Sequence, residues 1–220
     1  MNTKTLPSLE ILNSFPNTFK KGGSKTEHGN RFEDIVCKVF GFYDDNGKLW
    51  QQYGKPVVDV PEEIVKNGSV HPKYHMDWSI KFQEERKSIG YATARRVRDH
   101  QATKPMVHCV AFWGYRKYGA KKIVGFNYSI VTPSQANEYW GNITPELLRE
   151  IDPVTNKRLS IQKSKRLARE TNENRTGIMA LRNCSREDNG NGYPHRNLQA
   201  YVTYPNYMKY IDDGDMRIAA

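Results

Sequence analysis

The chain has 220 residues and a formal net charge of +10. That length suits one domain, or one domain with an appendage. Only 37% of its residues are apolar, and no stretch approaches the ~18 consecutive apolar residues of a spanning helix, which excludes a helical membrane span. The basic excess points to polyanionic partners, nucleic acid before anionic membrane. Three cysteines, Cys37, Cys109 and Cys184, are isolated and odd in number. They form neither a disulfide framework nor a C-x-x-C zinc site, so free thiols in a reducing compartment are expected. The expected location is cytoplasmic, or nuclear in a eukaryotic or viral setting, and not secreted.

Residues 1–30 are polar and rich in Lys, Asn, Gly and Ser, and read as a flexible arm. Residues 31–40 carry a helical period: Phe32, Ile35, Val36, Val39 and Phe40 share one stripe. Asn30 is the expected cap and Gly41 the stop. Glu33 falls on the edge of that stripe. Asp44-Asp45-Asn46-Gly47 is a turn signal between pairing flanks. Residues 56–60 read as a short strand, and residues 61–66 as one or two helical turns. Residues 74–89 are strand material, either continuous or folded into a hairpin near residues 82–84. Residues 90–101 read as a helix carrying Arg95, Arg96 and Arg98, ended by Lys104-Pro105. Residues 106–113 form the most apolar run and read as a central buried strand. Residues 121–132 make another strand. Residues 144–151 form a short helix with Thr144 as cap and Pro145 in its first turn. A basic helical segment covers residues 157–175, and residues 198–204 alternate well enough for an antiparallel pair. The expected division is an arm (1–30), a core (31–152) and a basic C-terminal region packed on it (153–220).

The richest chemistry lies at Asp77 and at Glu85-Arg86-Lys87, an acid followed after seven residues by acid-x-lysine. Two carboxylates and a lysine that converge suit metal-assisted hydrolysis of a phosphodiester: carboxylates hold Mg²⁺ and the lysine orients a water. A hairpin would bring Asp77 and Glu85 onto neighbouring strands. Asp59 is an alternative first acid with a longer connection. The bland alternative is a charged strand facing solvent.

The order of helix with Glu33, acid, acid-x-lysine strand, helix and buried strand, over residues 30–132, resembles the PD-(D/E)xK nuclease superfamily. Small type II restriction endonucleases are the members it resembles most. The resemblance implies an α/β fold, with a central mixed β-sheet flanked by helices and here a basic C-terminal DNA-binding extension. It implies Mg²⁺ as cofactor, double-stranded DNA as substrate and a homodimer. It assigns Asp77, Glu85 and Glu33 to the metal and Lys87 to the attacking water. Met76 stands where the family has proline, and the seven-residue gap is short.

Arg95, Arg96 and Arg98 are expected to touch DNA phosphates. Lys163, Lys165, Arg166 and Arg169 are expected to line a DNA-contacting helix. The loop around residues 182–197 offers Arg182, Arg186, His195 and Arg196 for base contacts. No G-x-S-x-G, phosphate-cradling G-x-x-x-x-G-K-[ST] or G-x-G-x-x-G occurs. The rival reading is a non-catalytic nucleic-acid-binding protein, such as a packaging or coat protein. Within the nuclease class, a junction-resolving or nicking enzyme is the alternative.

Overall fold

The computed structural model describes residues 7–15, 25–51, 58–91, 93–115, 121–183, 198–210 and 217–218. In chain order the elements are α1 (Leu9–Asn13), α2 (Lys25–Phe40), α3 (Glu62–Val65), a 3-10 turn (Pro72–Tyr74), β1 (Trp78–Glu84), β2 (Ile89–Tyr91), α4 (Ala94–Thr103) and β3 (Met106–Tyr115). There follow β4 (Lys121–Val131), α5 (Pro133–Trp140), α6 (Pro145–Ile151), α7 (Ile161–Glu173), β5 (Met179–Asn183), β6 (Leu198–Val202), α8 (Tyr204–Tyr210) and β7 (Arg217–Ile218). The fold is mixed α/β with two small sheets. The chain divides into two compact units, and neither is continuous in sequence. The first holds residues 1–87, 105–131 and 208–220; the second holds 88–104 and 132–207. This division differs from the one expected at residue 152.

In the first unit the sheet order is β1-β3-β4-β7. β1 runs parallel to β3, and β4 is antiparallel to β3, so the sheet is mixed. Alternation sorts its side chains. Trp78, Ile80 and Phe82 share a face with their register partners Val107, Cys109 and Ala111. Tyr128 and Phe126 continue that face on β4. α2 packs its apolar stripe here: Phe32 stacks on Phe82 with centroids 4.8 Å apart, and Phe40 meets Trp78 at 5.3 Å. Buried aromatic rings of this size each hide on the order of 150–250 Å²; Phe32, Phe40 and Trp78 belong to the core of the unit and Phe82 packs against it.

α2 begins earlier than its period suggests, so Asn30 lies inside it rather than capping it. Its end is as expected, with Gly41 at φ +68°. The N-terminal region is not all arm. Leu12 is fully buried, and the Asn13 side chain brackets Ile123, donating to its carbonyl at 2.9 Å and accepting its N–H at 2.9 Å. The Asp44–Gly47 turn forms with Asp44 Oδ1 accepting from Asn46 and Lys48 N–H, and Tyr43 bridges Leu49.

In the second unit β6 is the central strand of an antiparallel sheet, β2-β6-β5. α7 lies on β5. Asn172 clasps the strand's backbone at Leu181, donating to its carbonyl and accepting its N–H, both at 2.7 Å. Ser164 donates to Ile151 O at 2.7 Å, which fixes the other end of the helix. α5 begins with a reciprocal cap between Thr132 and Gln135, and α6 with Thr144 as expected. After α5, Gly141 (φ +54°) meets Gly177 so closely that a Cβ there would lie 2.3 Å from Gly177 N.

Candidate active site

β1 is an edge strand, with β3 on one side only. On the other side Val60 and Trp78 exchange two backbone hydrogen bonds, at 2.8 and 3.1 Å. The next outward-facing backbone groups along this edge are those of Ile80. Side chains satisfy both. Asp59 Oδ2 accepts the Ile80 N–H, and Lys81 Nζ donates to Ile80 O at 2.9 Å. The same Asp59 oxygen accepts from Lys81 Nζ at 2.8 Å. The ion pair is largely buried, with side-chain exposures of 22% for Lys81 and 13% for Asp59.

Glu33 approaches from α2. It follows Phe32, which is held on Phe82, and a helical step of about 100° swings it off the apolar stripe. Its carboxyl is pushed up from 4.5 to about 7, first by burial and then by the Asp59 charge, with Lys81 pulling the other way. The three charges therefore share one electrostatic neighbourhood at the edge of β1. Cys37, one turn along α2 from Glu33, has its thiol pushed up to about 12 by burial and then by Asp34, Glu33 and Asp59. It is an inert thiol, not a nucleophile.

The opposite face of the sheet carries Ser79, Lys81 and Gln83. His108 stands in register with Ser79 and is 6% exposed. Its imidazole is pushed down to about 3, by burial first and then by Lys81, so it is neutral near pH 7.

The expected constellation of Asp77, Glu85 and Lys87 is not assembled. Asp77 precedes β1 and Glu85 follows it, and β1 pairs with β3 without interruption from Trp78 to Glu84. Eight strand steps of about 3.3 Å separate them by roughly 26 Å, so no single ion reaches both. The hairpin near residues 82–84 does not exist, and β1 and β2 belong to different sheets. Glu85-Arg86-Lys87 is a turn, with Arg86 at φ +63°. A turn lacks the alternation that puts an acid and a lysine two residues on along one strand face. Asp77 serves the backbone instead, its Oδ1 accepting the Glu62 N–H at 2.8 Å in the first turn of α3. The residues brought together are Asp59, the alternative first acid, and Lys81. Lys81 escaped the motif because Ser79, not an acid, lies two residues before it.

The arginines of α4 have different roles from those expected. Arg98 is 5% exposed and points inward, donating to Ile143 O at 3.3 Å and Asn137 Oδ1 at 2.8 Å. It cannot reach a phosphate. Arg95 is half-buried and paired with Asp99 at 3.3 Å; Arg96 is exposed. Lys163, Lys165, Arg166 and Arg169 are all exposed on α7. Arg182 is exposed, bonded to Gln199 and lying over the Tyr201 ring. Arg186, His195 and Arg196 fall outside the described residues.

Among the described residues no group of three or more His, Cys, Asp or Glu side chains stands close enough to hold a metal ion. The donors available are two carboxylates, Asp59 at the β1 edge and Glu33 within its electrostatic reach. Both offer hard oxygens. Mg²⁺ commonly takes only one or two carboxylates, with substrate phosphate and waters completing its shell. The donor set fits that pattern. No helix among the described residues is long and apolar enough to cross a membrane. No family model, curated protein or solved structure matches the chain.

Proposed function

We propose that the chain is a Mg²⁺-dependent endonuclease of duplex DNA whose active site is Glu33, Asp59 and Lys81, not the Asp77–Lys87 segment. One observation carries this reading: Asp59 and Lys81 are bonded directly at the edge of a strand in a mixed sheet, with the Glu33 carboxyl near enough to feel both charges. Mg²⁺ bound by Glu33 and Asp59 would supply the positive charge that makes a phosphodiester attackable and acidifies a water.

The chain's own residues account for the rest. Lys81 presents a fixed ammonium, held by Asp59 and Ile80 O, that can donate to a phosphate oxygen or to the incoming water. The water loses its proton to bulk solvent as it attacks phosphorus. The phosphorus–oxygen bond to the leaving strand then breaks, and solvent returns a proton to the departing oxygen. The mixed sheet with a helix on one face suits a restriction-endonuclease-like core. Cutting both strands at a symmetric site would take a homodimer, which brings two such sites.

The test is cleavage of supercoiled plasmid in Mg²⁺ and in EDTA. Asp59→Asn and Lys81→Met should lose all Mg²⁺-dependent nicking while remaining folded. Glu85→Gln should cut like the parent. If Asp59→Asn still cuts, the assignment is wrong; if the parent never cuts but shifts the plasmid intact, the chain is a binding protein.

A further inference from the structure

The exposed charge of the second unit is concentrated on α7 and the turn before it. Between residues 157 and 175 seven cations face two acids, so a tenth of the chain carries half of its net +10. Every one of those cations is exposed. The helix itself is rigidly mounted, with Ser164 and Ala168 buried beneath it, Ser164 bonded to Ile151 and Asn172 to Leu181. Its outer surface is therefore a fixed array and not a floppy tail.

The order of charges runs against helix stability. Acids favour the first turn of a helix and bases the last. In α7 no acid lies in the first turn and no base in the last, while Lys163, Lys165 and Arg166 crowd the N-terminal half and Glu170 and Glu173 the C-terminal end. Arg166 and Glu170 pair at 3.5 Å, but in the weaker i,i+4 orientation, with the base first. A surface arranged only for solubility has no reason to accept that cost. A surface arranged for a polyanion does.

We propose that the outer face of α7 seats on duplex DNA and holds its phosphates. At about 100° per residue, Lys163 lies on one flank and Lys165 and Arg169 on the other, about 160° and 120° away, with Arg166 near the crest. A helix of this diameter enters the ≈ 12 Å major groove of B-form DNA, where cations on both flanks meet the phosphate walls on either side. The deep, narrow major groove of an A-form RNA duplex does not admit it. This inference does not rest on the catalytic reading; a protein with no hydrolytic activity would bind in the same way.

The experiment measures affinity for a 30-base-pair DNA duplex by fluorescence anisotropy, in EDTA, across a series of KCl concentrations. Each phosphate that is no longer neutralised flattens the plot of log K against log salt by about 0.9. Lys165→Gln/Arg169→Gln should flatten it by about 1.8 and weaken binding at 0.1 M salt by about 60-fold. Lys48→Gln/Lys104→Gln removes the same charge from exposed positions elsewhere and should leave the slope nearly unchanged. Lys165→Arg/Arg169→Lys should restore the parent slope, which separates missing charge from a damaged helix. Binding is read in EDTA, without turnover, so that a failed catalytic assignment leaves this result standing. An unchanged slope in the first variant, an equal loss in the control, an equal loss on duplex RNA, or a loss seen only with phosphatidylserine vesicles overturns the proposal.

Discussion

Replacing Glu33 by Gln should make the protein more stable at pH 8 and leave it nearly unchanged at pH 4.5. The carboxyl is raised from 4.5 to about 7 in the folded chain. A raised carboxyl means the folded state binds the proton more tightly than the unfolded state. Its stabilising effect is complete below the unfolded value near 4.5 and is lost as pH climbs through about 7. At 1.36 kcal/mol per pKa unit, the shift corresponds to about 3 kcal/mol lost between those limits, less some screening where Glu33 meets solvent. Gln keeps the shape and cannot ionise. Urea unfolding of parent and Glu33→Gln at half-unit steps from about pH 4.5 to 8.5 gives the difference directly, because other titrating groups cancel. The difference should open by about 2–3 kcal/mol across the range, with its midpoint between about pH 5 and 7. A flat difference, or a variant less stable at pH 8 than the parent, refutes the burial of the Glu33 carboxyl beside the Asp59 charge. In the parent alone, millimolar Mg²⁺ should recover part of the loss at pH 8.

Asp77→Ala should keep full cleavage activity but lose about 1 kcal/mol of stability, the usual worth of a helix cap, measured by thermal unfolding. Gly141→Ala combines a left-handed φ with a backbone clash against Gly177 and should cost on the order of 2 kcal/mol or more, as strained backbone does; a midpoint within about 2 °C of the parent would contradict the geometry. His108 should show no imidazole titration between pH 5 and 8 by NMR, because its value is held at about 3. Being lowered, it works against Glu33: stability from this residue is present above the unfolded value of about 6.5 and declines as pH falls below it.

Much of the fold was legible from local pattern. The apolar stripe of α2, the uninterrupted run of β3, and the Thr144-Pro145 start of α6 each follow from periodicity or capping chemistry within a few residues. Long-range pairing did not. That β1 passes straight through residues 82–84 depends on its unbroken parallel register with β3, which lies more than twenty residues on in sequence. The site was misplaced for the same reason. Acid-x-lysine spacing presumes one strand, but Glu85 to Lys87 turns, and Lys81 has serine where the pattern wants an acid. Its acidic partner lies more than twenty residues earlier, and backbone pairing of Asp59 and Val60 with Trp78 brings it alongside. The inward course of Arg98 was equally hidden, since α4 looks basic in sequence and its partners, Asn137 and Ile143, lie some forty residues away.

The pairing of Asp59 and Lys81 across Ile80 has a consequence apart from any chemistry. An uncovered strand margin invites a neighbouring molecule to add its own strand, which is how sheets grow into aggregates. Here a carboxylate and an ammonium occupy the very backbone positions such an intruder would need, and both would have to be displaced and desolvated first. The same two side chains thus guard the molecule against polymerising with copies of itself, and variants that lose Asp59 should be handled at low concentration.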